Sequence, residues 1–151
     1  MVRNEFTFPS ADGKTAVHAV EWLPESRPRA VLQISHGVAE YILRYEPFAE
    51  YLTARGFAVA GHDHLGHGGS VAPGGARLYF GPKGSWEWVV DDIYTRFGLL
   101  KKQFPGIPHF LLGHSMGSFL VRTYLIRCPG TVDGAVIMGT GQMPAALVAG
   151  G

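Results

Sequence analysis

Apolar and polar positions alternate along "EFTFPS" and again along "KTAVHAVEWLP", the period of a half-buried strand. Between them Ala11-Asp12-Gly13 reads as a tight turn whose Asp-Gly pair supplies positive backbone angles, so the chain is expected to open with an antiparallel hairpin. After the polar loop "ESRPR", the run "AVLQISHG" is β-rich and almost continuously apolar, as a strand buried on both faces should be. Phe48, Tyr51 and Leu52 then recur at helical spacing over residues 45–54, and Arg55-Gly56 closes that segment. The same unit repeats. "FAVAGHDHLGHGGS" is a short apolar strand emptying into a glycine-rich turn, followed by a helix over 86–103. "HFLLGHS" is a third strand with a helix over 116–127 behind it, and "GAVIMGTG" is a fourth strand. Trp86, Trp88 and Phe97 fall at helical positions expected to pack against the sheet.

Strands alternating with helices at this spacing imply βαβ units with right-handed crossovers. The expected fold class is α/β: a mostly parallel sheet with helices on both faces and the antiparallel hairpin at one edge. Ligands bind such sheets beyond the carboxyl ends of the strands. Ser35-His36-Gly37, His62-Asp63-His64 and His114-Ser115-Met116 all fall there.

Composition narrows the function classes. The chain has 151 residues, 46% apolar and 17% charged, enough for one folded core. Thirteen basic against twelve acidic side chains give a net charge of +1 without a basic run, so nucleic acid is not expected as a partner. The single cysteine, Cys128, forms no intrachain disulfide and reads as a structural thiol. The N-terminus lacks a secretory pattern and no segment is apolar enough to span a membrane, so the expected location is cytoplasmic. Neither a repeat nor a linker tract interrupts the pattern.

The candidate chemistry centres on Gly113-His114-Ser115-Met116-Gly117. This is G-x-S-x-G in the context that gives the motif meaning, an apolar strand before it and a helix after it. A sharp strand-to-helix turn strains the serine backbone, exposes its hydroxyl and leaves room only for small residues two positions away, which Gly113 and Gly117 provide. A serine there also suits a helix N-cap, but its position at the end of a parallel strand favours a nucleophile. Acyl transfer needs amide donors for the oxyanion. Met116 N–H is one candidate and Val38 N–H the other, with Gly37 allowing close backbone approach and His36 shaping the loop as a hydrogen-bonded structural histidine. His62, His64 and His67 are closely spaced, yet a glycine-rich turn lacks the helical spacing of zinc motifs, and no metal is expected.

These residues resemble the serine α/β-hydrolases, and more narrowly the monoacylglycerol lipase and lysophospholipase group. That group shows a similar "HG…E…RY" stretch, here His36-Gly37, Glu40 and Arg44-Tyr45, a "HDHxGHGxS" turn, here residues 62–70, and "GHSMG" at the elbow. The resemblance covers about residues 15–140. It implies hydrolysis of fatty acyl esters through an acyl-enzyme on Ser115, with Val38 and Met116 as oxyanion donors and neither metal nor organic cofactor. Two positions depart from the group: Tyr41 stands where a histidine usually follows the glutamate, and Ser118 where another glycine is common. An acyl thioesterase shares the elbow and the chemistry, and a noncatalytic binding module with a vestigial pocket is the reading from another class.

In this fold the triad runs serine, acid, histidine. After Ser115 there is no histidine, and the only acidic residue is Asp133, placed before a strand and so at the wrong end of the sheet. The expectation is that residues 1–151 form the N-terminal part of one hydrolase core, with the acid, the histidine and a lid in a C-terminal part of the same protein. That lid would be the place of peripheral membrane contact. "QMPAALVAGG" would begin an apolar element, and the fourth parallel strand would present an unpaired edge.

Overall fold

The structure is a computed structural model that describes residues 1–145. Its elements are β1 (Val2–Pro9), β2 (Ala16–Leu23), β3 (Ala30–Ser35), α1 (Glu46–Thr53), β4 (Phe57–His62), α2 (Ser85–Gln103), β5 (His109–His114), α3 (Met116–Arg127) and β6 (Gly134–Met138). One sheet runs in the order β1-β2-β4-β3-β5-β6, and its last four strands are mutually parallel. β1 and β2 form the antiparallel edge, with β2 also antiparallel to β4. This is the α/β-hydrolase arrangement that the alternation of elements and the resemblance led us to expect.

The period of two along each strand sorts the core into two layers. Leu111 packs with Val89, Val90 and Ile93 of α2 and with Leu120, Val121 and Tyr124 of α3. Its neighbour Leu112 points the other way, to Ile42 and Ala49 beside and within α1. Helices therefore cover both faces. Parallel register aligns Ser35 with Gly113 and His114 with Met138, so the carboxyl ends of the parallel strands share one rim.

One local expectation changes, and two are filled in. The opening turn spans residues 10–15, and only Gly13 takes positive φ (76°); Asp12 instead accepts the N–H groups of Lys14 and Thr15 through its carboxylate. The side chain closes the loop, so a two-residue turn is unnecessary. The helix expected over residues 45–54 is α1, with Pro47 set in its first turn, and a 3-10 turn at Ile42–Tyr45 leads into it. Trp86 and Trp88 lie against the α2–α3 layer, where the Trp86 indole donates to Thr123 Oγ1 at 3.2 Å. Of "QMPAALVAGG", residues 146–151 lie outside the described residues.

Buried charge fastens the hairpin to α2. Arg96 donates to Glu21 at 3.1 Å with both groups buried, and Gln103 and Asn4 satisfy the second carboxylate oxygen. Asp92 accepts from Ser10 Oγ and Ala11 N–H, each at 2.7 Å. At the opposite edge, among the described residues, β6 pairs only with β5, and Val136, Met138 and Ile126 are exposed. No helix among the described residues is long and apolar enough to cross a membrane.

The interior also holds histidines. Burial pushes His36 and His109 down to about 4, His62 to about 3, and His64 well below the ordinary 6.5. The unfolded chain takes up these protons below pH 6.5 while the folded chain refuses them. Stability is therefore expected to fall as pH drops from about 6.5 toward 4, by up to about 1.4 kcal/mol per pH unit for each histidine. Two groups act the other way. Burial raises Asp92 to about 6, and His18 is raised because its bonds to Asp63 and Glu5 overcome its burial. Thermal melts followed by circular dichroism from pH 8 to 5 should show the midpoint falling below pH 6.5; a flat profile would contradict neutral burial.

Candidate active site

β5 enters α3 through a turn in which Ser115 has φ 54° and ψ −121°. A non-glycine residue held there stores on the order of 1–3 kcal/mol of strain. The turn is held on both sides of the serine. Ser115 N–H donates to Met138 O at 2.9 Å, while Ser115 O accepts from Ser118 N–H at 2.9 Å and Ser118 Oγ at 2.6 Å. A Cβ at position 113 would overlap the Gly117 carbonyl, and one at 117 would overlap the Ser35 carbonyl. Backbone therefore meets backbone, and only glycine fits at either position.

The Ser115 side chain does not cap α3. It is partly exposed, and its hydroxyl has no hydrogen-bond partner among the described residues. The Met116 N–H opens the helix and likewise has no acceptor among the described residues, as expected for the first turn.

Against this elbow lies the loop after β3. A Cβ at Gly37 would sit 3.1 Å from Ser115 Cβ and 3.2 Å from His114 O, so this glycine brings the loop into contact with the serine. Residues 37–40 form a turn, Glu40 N–H donating to Gly37 O at 3.4 Å, with Ala39 at φ 58°. Val38 N–H has no acceptor among the described residues, and its side chain is exposed. The geometry thus gathers Ser115, Gly37, Val38, Gly113, Met116 and Gly117 at one place.

The loop rests on a buried polar floor. His36 is fully buried; it accepts from His64 N–H at Nε2 (3.1 Å) and so donates from Nδ1 to Gly37 O (2.8 Å) as a neutral ring. His64 Nε2 bonds Ser35 Oγ at 3.1 Å. Asp63 accepts from Ile42 N–H at 2.6 Å and from Gly69 N–H at 2.8 Å, tying the 62–70 turn to the start of the 3-10 turn. The His36, His64 and His67 rings lie 4.2 to 6.5 Å apart, yet no group of three or more His, Cys, Asp or Glu among the described residues is arranged to hold a metal ion. Asp133 accepts His109 N–H at 2.7 Å, at the end of β5 away from Ser115.

Side chains that carried no role in the motif reading also stand here. Glu40 is buried and takes donors from four directions: Gly37 N–H at 2.5 Å, Tyr45 O–H at 3.0 Å, Arg44 at 3.1 Å and the His114 ring at 3.2 Å. Burial would raise its pKa, but the bonds from Gly37 N–H, His114 and Tyr45 hold it below the ordinary carboxylate value. The available signal was its spacing, an acid three residues after a glycine that opens a turn. A cavity of about 310 Å³ bounded by Glu40, Tyr45, Phe48, His114 and Met138 opens beside the elbow.

With that geometry in view, similarity to known proteins becomes informative. Residues 26–148 match the family described as serine aminopeptidase, S33. The monoacylglycerol lipase of Mycolicibacterium smegmatis is 36% identical over 137 residues, which are 91% of this chain and 46% of that protein. Human monoglyceride lipase is 35% identical over 117 residues, 78% of this chain and 37% of that protein. A thermostable carboxyl esterase from Bacillus coagulans, solved with glycerol, superposes with a TM-score of 0.88 at 34% identity, covering 98% of this chain and 48% of the esterase. The chain thus spans less than half the length of these relatives. Its serine elbow, its glycine contacts and a match over most of its length converge on one assignment: the chain belongs to the serine aminopeptidase S33 family of α/β-hydrolases, in the group that resembles monoacylglycerol lipases.

Proposed function

We propose that this chain carries the nucleophile and oxyanion hole of a serine hydrolase that cleaves carboxylic esters of fatty acyl chains, of the monoacylglycerol or lysophospholipid type. The observation that carries this reading is Ser115, held at φ 54° with its hydroxyl unbonded among the described residues and two unpaired amides, Val38 and Met116, on the segments that frame it. Ser115 Oγ attacks the acyl carbonyl, and its proton passes to a histidine base. The carbonyl oxygen becomes an oxyanion received by the two amides. The alcohol leaves with the proton returned by the histidine, and water then releases the fatty acid by the same steps in reverse order. No metal or organic cofactor enters this sequence.

This reading assigns the base and its orienting acid to polypeptide beyond residue 151; it is supported by the lack of a histidine after Ser115 and by the bond of Asp133 to His109 N–H at the opposite end of β5. Residues 1–151 are then the N-terminal part of one hydrolase core, and the exposed β6 edge is where the remainder of the sheet would add. The unpaired Cys128 suits a reducing, cytoplasmic setting. Lid-mediated membrane contact belongs to the same C-terminal part.

A fluorophosphonate probe and a p-nitrophenyl ester test this reading. The chain alone should label slowly at Ser115 and not at all as Ser115→Ala. Supplying a C-terminal half from a relative, in cis or as a separate polypeptide, should raise turnover by several orders of magnitude, up to roughly a millionfold. Full-rate labelling of the chain alone would contradict the divided triad; no labelling in either form would remove Ser115 as nucleophile. Faster turnover of an acyl thioester than of a monoacylglycerol would move the assignment to a thioesterase.

The reading also requires that the elbow be set by glycine contacts. Alanine normally stabilises a helix relative to glycine. Gly117→Ala should do the reverse here, lowering stability by about 1–3 kcal/mol in urea titrations because the new methyl meets the Ser35 carbonyl. A stabilised variant would contradict it.

A further inference from the structure

We infer that Glu40 is a positioning residue for the oxyanion hole: its buried carboxylate closes the 37–40 turn from the side opposite the backbone bond and so fixes where Val38 N–H points. This inference rests on the hydrolase reading above and adds to it the residue that sets one of the two donors.

The turn is closed twice. Glu40 N–H donates to Gly37 O at 3.4 Å, a long bond, and Gly37 N–H donates to Glu40 Oε2 at 2.5 Å, a short one. The carboxylate thus makes the stronger of the two closures, as expected for a charged acceptor. Strain makes the closure necessary. Ala39 sits at φ 58°, a region favouring glycine, and the backbone bond alone is poorly suited to hold an alanine there. The Val38 and Ala39 N–H groups, which have no acceptor among the described residues, lie between the two bonded ends of the loop.

The carboxylate is itself fixed by donors from other elements. Tyr45, from the 3-10 turn, bonds Oε2 at 3.0 Å; His114, from the end of β5, bonds the same oxygen at 3.2 Å; and Arg44 bonds Oε1 at 3.1 Å. His114 directly precedes Ser115, so one carboxylate oxygen touches both the oxyanion loop and the strand that presents the serine. The would-be Cβ of Gly37 lies 2.9 Å from that oxygen and 3.1 Å from Ser115 Cβ, which measures how closely loop, acid and serine meet. A neutral amide at position 40 still fills the space but presents a weaker acceptor, and its one NH2 group must face either Arg44 or the donors of Gly37, Tyr45 and His114. The anchor of the loop is then weakened without loss of its packing.

The test uses the 151-residue chain itself, whose residual reactivity without base or acid depends on the oxyanion hole. In ¹⁵N–¹H spectra the Gly37 amide proton should stand downfield, as a short bond to a carboxylate requires. Glu40→Gln should move it upfield, shift the Val38 and Ala39 signals together with those of the bonded Arg44, Tyr45 and His114, and leave the rest of the spectrum in place. The maximal rate of fluorophosphonate labelling at Ser115 should fall about tenfold or more, against the 10²–10³ lost when a whole donor is deleted, while the probe concentration giving half-maximal rate stays within twofold. Val38 and Ala39 signals that do not move, or an unchanged labelling rate, overturn the proposal. If Glu40→Gln fails to fold, Tyr45→Phe serves: it should shift the Gly37 signal and slow labelling by a smaller factor, and no change in either overturns the proposal. Wild-type labelling no faster than the Ser115→Ala blank, both alone and with the C-terminal half supplied, refutes the hydrolase reading instead, and the amide shifts then still decide whether Glu40 sets the loop.

Discussion

The close approach of α3 to β3 constrains everything else at the rim. Gly117 lies so near the Ser35 carbonyl that no side chain fits between them, and Gly113 is likewise too near the Gly117 carbonyl for one. With the helix start drawn this tightly onto the sheet, the chain has too little length to round the corner in ordinary backbone conformations. Ser115 absorbs the bend at positive φ. Bonds to Met138 O and from Ser118 hold it there, and its hydroxyl, which does not cap the helix it precedes, is left without a partner among the described residues. Strain, exposure and an open helix N-terminus thus arise from one contact between backbones.

The second loop depends on a different device. Around residues 36–40 most of the fixing groups are buried and polar: His36 bonded to Gly37 O and His64 N–H, His64 to Ser35, and Asp63 to Ile42 and Gly69. A loop placed by apolar packing alone would leave its amides free to turn toward water. Here Gly37 N–H, Gly37 O and Glu40 N–H have named partners, while Val38 N–H and Ala39 N–H have none among the described residues. Neutral imidazoles suit this work because one ring both donates and accepts. Keeping them neutral in the interior is what ties the site to pH.

Much of this was legible in the sequence, because the signals were local. Alternating residues marked the hairpin, apolar runs marked β3 to β5, and the bounds expected for α3 are those observed. Glycines at 113 and 117 announced the elbow for a steric reason that spacing alone conveys. Other features were hidden, because they join residues distant in sequence. Glu40 meets His114 across 74 positions and Arg96 meets Glu21 across 75, pairings that no periodicity reveals. Ser118 was visible only as a departure from a family pattern, although its hydroxyl bond to Ser115 O makes it part of the turn. The opening loop shows the reverse error: Asp12-Gly13 has the composition of a two-residue turn, yet the aspartate acts through its carboxylate and not through its backbone angles.

The central claim is that one strained serine faces two main-chain amides, one from the loop after β3 and one from the first residue of α3. A crystal structure of the chain phosphonylated at Ser115 tests it most directly. The account predicts the phosphoryl oxygen within about 2.7–3.1 Å of both Val38 N and Met116 N, with Ser115 still at positive φ. A phosphoryl oxygen turned to solvent, or a serine relaxed to negative φ, would contradict it.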